Sequence, residues 1–102
     1  MTEQQSQLQP RHGEYKMPGG KLVVVDFAVE AGELRRVMVS GDFFLYPDST
    51  LADISAALEG ITATSSEADV ARHVRDGLAP GAELIGVTPE GIGVAVRRAL
   101  DA

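Results

Sequence analysis

Two short glycine-bearing segments hold the residues best suited to chemistry in this chain. Lys16-Met17-Pro18-Gly19-Gly20-Lys21-Leu22 places two flexible residues between two lysines. Backbone N–H groups and ammonium ions around such a turn can converge on an anion, either a phosphate or a carboxylate. The segment lacks the Gly-Lys-Ser/Thr ending of a phosphate-binding loop and is not followed by a helix, so the pattern taken alone also fits a plain hairpin turn. The second segment, Ser40-Gly41-Asp42-Phe43-Phe44, offers a carboxylate that can receive a partner's cation or act as a local backbone acceptor in a turn. Phe43, Phe44 and Tyr46 are three of the chain's five aromatics, so a large share of its apolar surface is concentrated there.

Little else supports catalysis. The chain has no cysteine, which removes disulfides, thiolate metal sites and a thiol nucleophile together. His12 lies near the amino terminus and His73 stands one helical turn after Asp69, a spacing that suits a modest helix contact. No serine lies in a Gly-x-Ser-x-Gly context. Glu67 and Asp69 belong at a helix start, where they complement the dipole. A net charge of -6 disfavours nucleic acid as the main partner. The longest clean apolar run, Leu22 to Val25, falls far short of the roughly 20 residues of a membrane helix. The polar, Gln-rich start is not a secretory signal, so a cytoplasmic location is expected.

The elements that position these segments follow from periodicity. With 102 residues, 44% of them hydrophobic and 24% charged, the chain fits one globular domain. Residues 1–12 show no periodicity and are expected to form a disordered tail before a domain over 13–102. Tyr15 and Met17 share one face of a short strand that stops at Pro18-Gly19-Gly20. Val23, Val25, Phe27 and Val29 then alternate with Leu22, Val24, Asp26 and Ala28, as in a strand. A tight turn at Ala31-Gly32 returns the chain through Leu34 to Val39, making an antiparallel hairpin. Gly41 and Asp42 interrupt the alternation, which points to a bulge or strand end. Ser49 or Thr50 can cap a helix carrying Leu51, Ile54 and Leu58 and ending at Gly60. Ser66 opens a second helix with Val70 and Val74, and Thr88-Pro89-Glu90 opens a third with Ile92, Val96, Ala99 and Leu100. Leu84 to Val87 reads as a connector. The fold class is α+β, an antiparallel sheet of two or three strands with three helices packed on one face. Gly91 and Gly93 each cost about 1 kcal/mol of helix propensity, so the third helix should depend on packing at its first turns.

In this order, Lys16-x-Pro18-Gly19-Gly20-Lys21-Leu22 followed by Ser40-Gly41-Asp42-Phe43-Phe44 resembles the carboxy-terminal accessory domain of bacterial lipoate-protein ligases and its free-standing archaeal-type counterpart. The similarity continues through Pro47, the helix Leu51 to Leu58 and Leu84-Ile85-Gly86-Val87-Thr88-Pro89-Glu90, over residues 13–101. The resemblance implies a part in a two-step reaction: lipoate and ATP form lipoyl-adenylate, and the lipoyl group passes to a lysine of an acceptor domain. In that family a larger catalytic domain binds lipoate, ATP and Mg. Its Arg-Arg-x-x-Gly-Gly-Gly signature is missing here. The implied role is therefore a non-catalytic subunit of a heterodimer, inactive alone, with a catalytic ligase subunit as partner and lipoyl-acceptor domains served indirectly. Carried over onto matching positions, Lys16, Gly19, Gly20, Lys21, Gly41, Asp42, Phe43 and Phe44 lie at the inter-subunit surface beside the active site, with at least one phenylalanine in the core. Two alternatives stay open on the residues. One is an interaction or regulatory module that keeps the fold without ligase function. The other is a small independent transferase or hydrolase using Lys21 and Asp42.

Overall fold

The computed structural model describes residues 9–102. Strands β1 (Gln9–Lys16), β2 (Leu22–Glu30) and β3 (Glu33–Gly41) form an antiparallel sheet in that order. Short strands β4 (Phe44–Tyr46) and β5 (Glu83–Ile85) pair with each other, and helices α1 (Thr50–Leu58), α2 (Glu67–Gly77) and α3 (Pro89–Asp101) complete the described chain. This is the α+β class read from the sequence, with a second small sheet added. Residues 1–8 of the expected tail lie outside the described residues. Residues 9–12 do not belong to a tail: they pair along β2, with Pro10 opposite Ala28 and His12 opposite Asp26.

The alternation in β2 sends Val23, Val25 and Phe27 into the core, where Leu34 and Val39 of β3 join them. α3 packs on β1 and β2, α1 packs on β3, and α2 packs against the other two helices. Ser66 and Thr88 cap α2 and α3 by accepting from the Asp69 and Gly91 N–H groups. In α1 neither candidate cap is used. The Ser49 side chain makes no capping bond, and Thr50 Oγ1 is buried with no hydrogen-bond partner among the described residues. The buried line of α1 is Thr50, Ile54 and Leu58, an i, i+4, i+8 row, so Leu51 faces outward rather than joining the core. Gly91 and Gly93 are buried contact points of α3, against Met17 and the Glu67 carbonyl respectively. Leu84 to Val87 was expected as a connector, but its first part is β5, zipped onto β4 through Phe44–Ile85, Leu45–Leu84 and Tyr46–Glu83 pairs.

The main hairpin turns at Ala31-Gly32, both at positive φ (54° and 78°), the geometry that suits a two-residue connection. Further along, the register slips: Asp26 faces Met38 but Ala28 faces Arg35, so Arg36 and Val37 lie opposite Phe27 alone. Arg36 takes φ 58° in this bulge. The two N–H groups released there donate to one carboxylate, Glu59 Oε1 at 3.2 Å and Oε2 at 2.6 Å. Replacing Glu59 with alanine is expected to lower stability by about 1.5 kcal/mol, since it strands two donors of charge-assisted bonds. Urea unfolding with an unchanged m-value would register the loss; a midpoint equal to wild type would show that water replaces the carboxylate at no cost.

On the open face of the sheet His12 Nδ1 lies 2.6 Å from Asp26 and Nε2 lies 2.8 Å from Glu14. Both partners are acceptors, so the imidazolium, with a proton on each nitrogen, is favoured. The bond to Glu14, and then that to Asp26, raises the His12 pKa above its usual 6.5. The folded protein therefore holds this proton more tightly than the unfolded chain, and the triad's contribution is complete below pH 6.5 and lost as pH rises through the folded value. Thermal stability should decline over that rise, and His12→Gln should flatten the profile there. A His12→Gln profile that keeps the same slope would assign the pH dependence elsewhere.

Candidate docking site

The first glycine segment forms a reversal between β1 and β2. Met17 N–H donates to the Lys21 carbonyl and Gly20 N–H to the Met17 carbonyl, with Pro18 leading the turn and Gly19 at φ 96°. Those are the residues and the angle that a type II turn requires. Open space surrounds Gly19 and Gly20, and Lys16, Pro18 and Lys21 are exposed beside them. Met17 is buried and packs against Gly91 of α3, which anchors the base of the turn.

The second segment meets the first at Leu22. The Leu22 carbonyl accepts the Asp42 N–H at 3.0 Å, and Leu22 is also the partner of Lys16 across β1 and β2. Gly41 has φ 152°, and a Cβ there would strike the Leu22 carbonyl and come 2.7 Å from the Phe43 ring, so the close crossing requires glycine. Phe43 is partly buried and packs on the core, whereas Phe44 is 60% exposed. Gly86, just after β5, completes the cluster: a Cβ on it would lie 3.0 Å from Lys21 Cγ and 3.5 Å from Phe43 Cβ. All eight residues singled out in the sequence thus stand at one end of the domain, grouped by the pairing of β2 with its neighbours.

Lys16 and Lys21 are the chain's two lysines, and neither joins an ion pair among the described residues. Most arginines, by contrast, are engaged: Arg35 with Glu33, Arg72 with Asp69, Arg75 with Glu90, Arg97 with Asp101, and Arg98 over the Tyr15 ring. Asp42 and Asp48 are also exposed and without an ion pair among the described residues. No group of three or more His, Cys, Asp or Glu among the described residues is arranged to hold a metal ion. No described helix is long and apolar enough to cross a membrane.

An apolar surface adjoins the two motifs. Alternation in the small sheet turns Leu45 and Leu84 inward and leaves Phe44, Tyr46 and Ile85 outward, at 60%, 50% and 49% exposure. An open groove of about 470 Å³ runs beside them between the end of β3, Phe43 to Leu45, and Leu51 of α1. The sequence reading missed Tyr46, Leu51 and Ile85 as surface residues. For Ile85 the signal was the Glu83-Leu84-Ile85 alternation, too short to read without its partner strand. The exposed apolar face thus adjoins charges of both signs that make no ion pair among the described residues.

No protein-family model matches the sequence, and no curated protein matches it. Among solved structures, the fold matches a chain from an archaeal lipoylation system of Thermoplasma acidophilum, described as a bi-partite lipoate protein ligase and its E2 lipoyl domain. The match has a TM-score of 0.64 at 22% identity and covers 88% of this chain and 94% of that one. At that identity the likeness establishes a common fold.

Proposed function

We propose that this chain is the non-catalytic accessory subunit of a split lipoate-protein ligase, needed by a separate catalytic subunit to activate lipoate as lipoyl-adenylate before transfer to an acceptor lysine. The observation that carries this reading is the convergence of the Lys16–Lys21 turn and the Gly41–Phe44 segment on one exposed end, in a fold shared with a chain of a lipoylation system. An acyl-adenylate must be kept from water, and a separate cover that docks over the site can complete and close it. In that arrangement the exposed apolar face seats the catalytic subunit, and the lysines reach an anion on the partner or on the adenylate. ATP, Mg and lipoate belong to the complete complex, where the catalytic chain supplies their binding groups.

The test is lipoyl-adenylate formation from ATP and lipoate by the catalytic subunit of the same organism, with and without this protein. The expected result is strong dependence on the added chain, and no product from the chain alone. Equal activity without it, together with absence of binding, would replace this reading with an interaction module that shares the fold.

A further inference from the structure

The three-stranded sheet has two edges, and the chain treats them differently. β1 carries Pro10, Arg11, His12, Glu14 and Lys16, the proline and charges that discourage pairing with a foreign strand. The edge of β3 is covered over most of its length. Leu34 exchanges bonds with Gly60 and Ile61, Thr62 bridges to Glu33, and the bulge donors at Arg36 and Val37 go to Glu59. From Val39 to Gly41 nothing among the described residues pairs with it, and this stretch holds neither a charge nor a proline.

The register determines which backbone groups are free. Asp42 N–H bonds to the Leu22 carbonyl, so in an antiparallel ladder Ser40 and Met38 also direct their groups to β2. Val39 and Gly41, opposite Val25 and Val23, therefore turn theirs outward. They open onto the groove floored by β3 and walled by Phe44 and Leu51, with Asp48 at its lip.

We propose that Val39 to Gly41 is a strand-addition site, taking an extended segment of the catalytic partner antiparallel or parallel to β3. This rests on the accessory-subunit reading and names how the partner is held. Main-chain bonds to Val39 and Gly41 supply the pairing, and the groove takes an apolar side chain against Phe44 and Leu51. The occupant carries a lysine or arginine directed to Asp48 or Asp42, because both carboxylates are exposed and without an ion pair among the described residues. A second copy of this chain does not fit, since it would bring its own Asp42 and Asp48, and a like net charge of -6, to the same edge.

Residue-resolved hydrogen exchange, free and with the purified catalytic subunit, tests this. Val39 and Gly41 amides are expected to exchange fast in the free protein and to slow at least about tenfold in the complex, while Met38 and Ser40 stay protected in both. Leu51→Arg and Asp48→Asn, both at exposed positions, are expected to weaken binding about tenfold or more while leaving the unfolding curve in place. A complex that forms and supports adenylation with Val39 and Gly41 still exchanging fast overturns strand addition and leaves the accessory reading standing. Protection that appears in the free protein as its concentration rises assigns the edge to a second copy and overturns the proposal. Absence of any complex overturns both.

Discussion

Gly13→Ala is expected to lower stability by about 3 kcal/mol, a substantial part of what a small domain has. Gly13 sits in β1 where α3 crosses closest. A Cβ there would strike the Ala95 carbonyl and lie 2.7 Å from the Ala99 nitrogen and 2.8 Å from its Cβ. These are backbone atoms and a methyl, with no flexible tip to swing aside, so the helix itself must lift. Elsewhere in a strand, alanine for glycine gains several tenths of a kcal/mol by restricting the unfolded chain. Here overpacking outweighs that gain. A domain of this size should lose about 15 °C in melting temperature. Adding Ala99→Gly should recover only part of the loss, because the Ala95 carbonyl still stands in the way. A melting point within a few degrees of wild type would mean that α3 does not ride this close to the sheet. The consequence reaches the site, since α3 also carries Gly91 against Met17, the buried base of the lysine turn.

What the sequence could disclose was set by the range of the interactions involved. The Val23, Val25, Phe27 alternation and the Ala31-Gly32 turn are local, and the β2–β3 hairpin follows from them. The capped starts of α2 and α3 are likewise written within a few residues of each helix. The β3 bulge is not: Arg36 takes a positive φ that no glycine signals, held by a carboxylate 23 residues away. Nor is β5, whose three residues become a strand only on meeting Phe44–Tyr46. The start of β1 was hidden because its residues are polar, yet ladder pairing to β2 and the His12 contacts to Asp26 and Glu14 order them. The two motifs were legible as segments with suitable chemistry. Their meeting at Leu22, the outward turn of Leu51 and the open edge beside them are products of register, and register is visible only once the strands are laid side by side.

On the proposed accessory role, substituting alanine for both lysines is expected to cut lipoyl-adenylate formation by the catalytic subunit with this chain added by about 100-fold. Each ammonium ion, without an ion pair among the described residues, is available for a charge-assisted bond worth about 1.5–3 kcal/mol, and two such losses at the lower end correspond to about two orders of magnitude. The fold should not contribute to the loss, because exposed unpaired side chains shift stability by no more than about 0.5 kcal/mol. Lys21 needs one refinement: its stem lies over Gly86, so Lys21→Met removes the charge and keeps that contact. Lys21→Arg keeps charge but not shape, and its partial rescue would mark an electrostatic role. Titrating the variant against the catalytic subunit then separates two sites of action. If the lysines hold only carboxylates of the partner, excess accessory chain restores the full rate. If they reach the phosphate of the adenylate, the rate stays low at saturation, because the missing charge acts in the transition state and not in assembly. A double variant that supports the wild-type rate at every concentration would remove the lysines from the site and leave its function to the apolar face and the β3 edge.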